Sequence, residues 1–171
     1  PMQGFAQGAQ PISSYNFGAR NADRVKKTFQ MLLGCCLTYS VLLWGCVQLF
    51  PQVFAGLFAT DVALLEFASS ALRVYTGAMF IMGIQIACQM TFISLGNALS
   101  SVIVAVFRKF VILIPLIYIL PAFLADKTFA VYLAEPVADA CACLFTVFLF
   151  SREFKKAMKM LNAPVALEQK D

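Results

Sequence analysis

The chain has 171 residues, of which 61% are hydrophobic and 13% charged; it has no histidine, and its mean hydropathy is +0.79. A soluble domain is about half apolar and about one-quarter charged. These charges are too few to cover a water-exposed surface, which argues against a soluble globular enzyme. The hydrophobicity equally argues against disorder. The composition indicates an integral membrane protein, all-α and polytopic, counted in spans of about 20 apolar residues. The net charge of +4 does not point to nucleic acid. The basic residues sit in short segments between apolar runs, as membrane topology requires.

In chain order, residues 1–18 are rich in Gly, Gln and Ser around Pro11. They read as the end of a transmembrane helix, since small residues permit close helix approach and Pro is tolerated in spans. No signal of the basic-apolar-cleavage type opens the chain, which starts on Pro1 within a patterned segment and reads as part of a longer protein. Residues 19–27 form a basic cytoplasmic loop. A four-helix transmembrane bundle follows over 28–151, with spans at about 28–50, 68–97, 102–124 and 128–150. Residues 51–66, holding Pro51, Gly56, Asp61 and Glu66, suggest a short amphipathic interfacial helix. Residues 152–171 form a polar cytoplasmic tail. The two halves show no internal repeat.

Basic residues set the expected orientation. Arg20, Arg24, Lys26 and Lys27, then Arg108 and Lys109, then Arg152, Lys155, Lys156, Lys159 and Lys170 fall on one face of an up-down arrangement. Only Arg73 and Lys127 fall on the other. The positive-inside rule makes the first face cytoplasmic, with the protein multi-pass in the cell membrane and its C-terminus inside. On this reading Arg108 and Lys109 are topological anchors that snorkel to the surface.

Polar residues inside spans are the candidates for function. Glu135 and Asp139 lie one helical turn apart, on one stripe with Thr128, Tyr132 and Thr146. An Asp at the middle of a span costs about 2.5–3.5 kcal/mol to insert, so the stripe is expected to face helices or an aqueous cavity. Two carboxylates so close repel when both are charged, which suits a protonation-coupled step; pairing with a cation works the other way. Hydration of Glu135 near the outer surface is the plain alternative. Gln85 and Gln89 make a second pair at the same spacing, as inter-helix glue or as cavity lining. All six cysteines fall in apolar segments and read as small hydrophobes. The residues offer no catalytic triad, phosphate loop or metal-ligand cluster, so neither enzyme activity nor a cofactor is expected.

The stretch Gln7-Gly8-Ala9-Gln10-Pro11-Ile12, continued by Tyr15-Asn16 and Gly18-Ala19, resembles a motif of the multidrug and toxic compound extrusion (MATE) transporters. Leu95-Gly96-Asn97-Ala98, Arg108, Ile114-Pro115-Leu116 and the run from Ala134 through Glu135-Pro136 to Asp139 resemble that family's later helices. The resemblance implies a twelve-helix, two-lobed transporter, with this chain supplying the end of helix 8 and helices 9 to 12 of the C-lobe. It implies secondary active efflux of lipophilic, often cationic compounds in exchange for protons or sodium ions by alternating access, in a branch similar to bacterial drug exporters. The implied partners are membrane lipids, the small substrate, the coupling ion and the missing N-terminal lobe. Gln10, Pro11, Tyr15 and Asn16 match the motif at a helix end and suggest a structural or gating role. Some branches carry cation-site acids on helices 7 and 10; helix 7 lies outside this chain, and the span at 68–97 offers Gln85 and Gln89 rather than an acid. A lipid-linked precursor flippase of the same superfamily and a non-transporting interaction module are the alternatives. The flippase is disfavoured because its cavity should be more basic than these spans.

Overall fold

The structure is a computed structural model that describes residues 1–58, 61–124 and 126–163. Every regular element among them is helical. Helix α1 (Met2–Gly18) pairs with α2 (Ala22–Leu49); α3 (Pro51–Ala55) is a single turn. Helix α4 (Val62–Tyr75) meets α5 (Met82–Ser94) across a bend of 45°. Helix α6 (Ala98–Phe123) and helix α7 (Lys127–Asn162) complete the chain. By length and apolarity α2, α6 and α7 can each cross a membrane, and the bent α4–α5 pair is long and apolar enough to make a fourth span if it crosses as one.

Several boundaries differ from the sequence expectation. The basic segment 19–27 is not a loop: only residues 19–21 separate α1 from α2, so Arg24, Lys26 and Lys27 belong to the first turns of α2. Residues 51–66 divide between α3 and the first turn of α4, and the second span is a broken helix that begins at Val62. The expected tail, as far as Asn162, continues α7 as helix; residues 164–171 lie outside the described residues. Met158 and Leu161 explain the continuation, because they bury against Ala22 and Val25 of α2.

Two helix junctions share one device. Asn21 N–H donates to the Asn16 carbonyl at 2.9 Å and Asn97 N–H to the Phe92 carbonyl at 2.9 Å, each five residues back. Arg20 (φ 55°) and Gly96 (φ 76°) adopt the left-handed conformation that this closure requires. Each asparagine then caps the next helix: Asn21 accepts from Arg24 N–H at 3.2 Å, Asn97 from Ser100 N–H at 3.3 Å. The structure thus reveals a local repeat, Arg-Asn-Ala and Gly-Asn-Ala, too short to stand out in the sequence.

In lipid the hydrophobic effect does not drive helices together, so close packing and hydrogen bonds must. Helix α7 presents Ala130, Ala134, Ala138 and Ala142, all essentially inaccessible, at a spacing of one turn. Gly83 brings α5 against the backbone of α2; a Cβ there would stand 2.6 Å from the Cys36 carbonyl oxygen. Toward the basic end of the bundle, Phe150 stacks on Phe29 (4.6 Å between centroids) and Phe154 (5.0 Å), and meets Phe92 edge-on (5.4 Å). These rings tie α2, α5 and α7 together.

The break between α4 and α5 frees carbonyls that lipid cannot satisfy. Side chains take them up. Ser40 Oγ donates to the Phe80 carbonyl at 2.9 Å, Gln48 Nε2 to the Arg73 carbonyl at 3.0 Å, and Cys143 Sγ to the Ile81 carbonyl at 3.9 Å. Replacing Gly83 by Ala should force α5 off α2 and destabilise the protein by about 1–3 kcal/mol. Thermal unfolding of the detergent-solubilised full-length protein reads this; an unchanged midpoint would mean that the α2–α5 contact is looser than described. Ser40→Ala should have a smaller effect, about 1 kcal/mol.

Candidate functional site

Helices α6 and α7 bring four charges together within the span. Arg108 Nη2 lies 3.2 Å from Glu135 Oε1 and forms a second ion pair with Asp139 Oδ1. Lys109 Nζ reaches the same Glu135 oxygen at 3.6 Å. The Arg108, Glu135 and Asp139 side chains are 16%, 14% and 7% exposed, whereas Lys109 is about half exposed. Arg108 Nε is buried without an acceptor among the described residues. When all four groups are ionised, the cluster is neutral.

The backbone explains why two consecutive cations reach one acid. Residues Phe107–Leu113 form a π-helical segment inside α6, closed by Ile114 N–H onto the Lys109 carbonyl. Pro115 follows directly. It has no N–H and its ring crowds the carbonyl one turn back, which disfavours continued α-helix and favours the wider turn. Such bulges recur at functional sites. The acids stand about 12 and 18 Å along α7 from its start at the α-helical rise. Of their stripe, Thr146 is fully buried and Tyr132 meets Phe67 edge-on at 6.3 Å, whereas Thr128 at the helix start is exposed.

The anchoring role expected for Arg108 is therefore overturned. It lies near the middle of an unbroken helix, with two carboxylates supplied by the neighbouring span. The sequence contained part of the signal: a cation well inside one apolar run and two acids inside the next. The expectation that these spans lack mid-membrane basic residues falls with it. Each cation is nevertheless matched by an acid, so no uncompensated basic cavity results.

Beside the cluster, a pocket of about 230 Å³ is lined by Tyr75, Thr76, Met79 and Met82 from the helix break, together with Arg108, Glu135 and Asp139. Of the other candidates, Gln85 is buried on α5, and Gln89 donates a long hydrogen bond (3.5 Å) to the Ser101 carbonyl on α6. Neither lines this pocket. Gln10 is half-buried on α1, Pro11 and Tyr15 are exposed, and Asn16 is buried with Nδ2 on the Ile12 carbonyl at 2.8 Å. The motif is thus divided, with Asn16 shaping the α1–α2 turn.

The family model MatE matches residues 1–119. The chain belongs to the MatE family. It is 26% identical over 153 residues to multidrug export protein MepA of Staphylococcus aureus (strain NCTC 8325 / PS 47), a match covering 88% of this chain and 34% of that one. It is 26% identical over 140 residues to an uncharacterized Mycoplasma pneumoniae protein, the MG447 homolog, covering 80% and 26%. Among solved structures, the MATE multidrug transporter DinF-BH superposes with a TM-score of 0.83 at 29% identity, covering 93% of this chain and 35% of that chain. A MATE structure in the bent conformation superposes at 0.87 with 16% identity, which speaks to the fold alone. The chain spans about a third of the length of the MepA relatives.

Removing one partner of a buried charge set strands the others, at a cost of about 3–5 kcal/mol. Arg108→Met should lower the unfolding midpoint of the full-length protein accordingly. Adding Glu135→Gln and Asp139→Asn should restore most of the loss. Equal midpoints for Arg108→Met and the unmodified protein would show that water, not Arg108, neutralises the acids.

Proposed function

We propose that this chain is the C-terminal part of a secondary active multidrug exporter, which moves lipophilic, cationic compounds out of the cell in exchange for protons or sodium ions. Family membership, a multidrug export relative and a multidrug transporter of similar structure support the reading. The observation that carries it is the four-charge cluster, with Arg108, Glu135 and Asp139 largely buried, beside a broken helix. Charged residues inside a membrane mark ion or substrate pathways, and discontinuous helices line transporter sites.

The cluster suggests how Glu135 and Asp139 act. Arg108 compensates both acids in the state described here. Protonation of one acid weakens its hold on the guanidinium, and deprotonation restores it. Because Arg108 belongs to α6, the acids to α7 and the pocket wall to the α4–α5 break, this exchange biases the relative placement of three elements. Alternating access needs such a two-state element. Pro11 and Tyr15, exposed on α1, with the half-buried Gln10 beside them, fit a gating surface toward the absent N-terminal lobe. Arg20, Arg24, Lys26 and Lys27 cluster with Arg152, Lys155, Lys156 and Lys159 at one end of the bundle, which supports a cytoplasmic C-terminus in the cell membrane even with Arg108 and Lys109 removed from that count.

The full-length protein should lower cellular ethidium accumulation. Glu135→Gln and Asp139→Asn should each slow efflux by about 100-fold, the lower range for loss of a proton-transfer group, and flatten its pH dependence. Wild-type efflux and pH dependence in both variants would reduce the cluster to a structural brace. Unaltered accumulation and tolerance across a cation panel, with the protein verified in the membrane, would overturn export itself.

A further inference from the structure

Away from the charge cluster, two adjoining open hollows between α2 and α7, the inner one also walled by α5, make a groove whose polarity changes along its length. Its inner part, about 340 Å³, is apolar and lined by Leu33, Ile84, Val147 and Phe150 among others. Phe154 and Lys155 border this part and also the next, an open hollow of about 480 Å³ at the bundle end that includes Lys26, Met158 and Lys159. From Val147 to Lys159 the groove runs roughly 18 Å at the α-helical rise.

The charges on this path have one sign. Lys26, Lys155 and Lys159 are exposed and take part in no ion pair among the described residues. The acids nearby do not offset them: Glu153 accepts from Asn97 Nδ2 at 3.4 Å in a separate pocket, and Asp23 lies exposed in the first turn of α2. A ligand that matches the whole path needs an apolar chain at one end and a negative group at the other. Free phosphate fits only the lysines, and a neutral lipophile fits only the inner part.

We propose that this groove is a binding site for an anionic phospholipid, with an acyl chain along Leu33, Ile84 and Val147 and the phosphate at Lys26, Lys155 and Lys159. Basic pockets between transmembrane helices bind lipid head groups in this manner. The site shares no lining residue with the pocket at the Arg108 cluster.

Native mass spectrometry of the full-length transporter in mixed micelles tests it, with phosphatidylglycerol and phosphatidylcholine as probes. The unmodified protein should retain phosphatidylglycerol over phosphatidylcholine by roughly tenfold or more, given three lysines near the surface. Combined Lys26→Gln, Lys155→Gln and Lys159→Gln should abolish the preference at an unchanged unfolding midpoint. Val147→Trp, which fills the apolar part, should reduce retention of phosphatidylglycerol while leaving the lysines in place. Equal retention of both lipids would leave an apolar groove without anion recognition and overturn the proposal. So would a preference that survives the lysine triple, or indifference to Val147→Trp, the result expected if another segment of the longer protein covers the groove.

Discussion

The interior of a membrane offers a polar group no solvent, so the charges and freed carbonyls within these spans must find their partners inside the protein. Two sets of groups obey this constraint side by side. The acids of α7 meet Arg108 and Lys109 of α6. The carbonyls released where α4 breaks from α5 meet Ser40, Gln48 and Cys143. Most of the remaining architecture serves to bring these partners into reach. The π-helical turn after Phe107 widens α6 where its two cations must address one acid. The alanine ladder of α7 narrows its separation from its neighbours.

The same constraint explains where stability is concentrated. With lipid as apolar as leucine, burying Leu or Val gains little between spans, and many large hydrophobic side chains remain on the surface. Contact depends on small residues and on specific bonds. Gly83 admits the α2 backbone where any Cβ would collide. At the basic end the aromatic group around Phe150 and the buried Met158 and Leu161 hold α7 to α2 beyond the last apolar turn. That packing keeps residues 152–162 helical where charge alone suggests a loose tail.

Much of the fold was legible because span length and charge depletion are composition-level signals. The inward-facing stripe of Glu135 and Asp139 followed from helical spacing and the insertion penalty. What escaped was pairing across helices. Arg108 next to Lys109 looks like a surface anchor in one dimension; only the depth match with α7 distinguishes a buried partner from a snorkelling one. The break at residues 76–81 was hidden for a related reason. The run 74–107 carries no charge to interrupt it, and the residues that stabilise the break, Ser40 and Gln48 of α2, lie far away in sequence. The small capped turns at Arg20-Asn21 and Gly96-Asn97 repeat too briefly to register as a pattern.

The arrangement also bears on why the cluster contains two cations for two acids. A lone carboxylate pair in this setting would retain a proton to avoid mutual repulsion, and could not easily release it. A fully satisfied pairing would be inert. Here Arg108 serves both acids through one nitrogen, its Nε lacks an acceptor, and Lys109 remains half exposed. The set is compensated in charge but not saturated in hydrogen bonds. A proton on either acid would change how tightly Arg108, on α6, holds α7. The pocket wall beside it is a helix already broken, where side chains hold the Arg73, Phe80 and Ile81 carbonyls and short backbone turns hold others. Electrostatic compensation and a pre-broken helix are separately ways to survive in lipid; together they place a charge-sensitive element beside a deformable one.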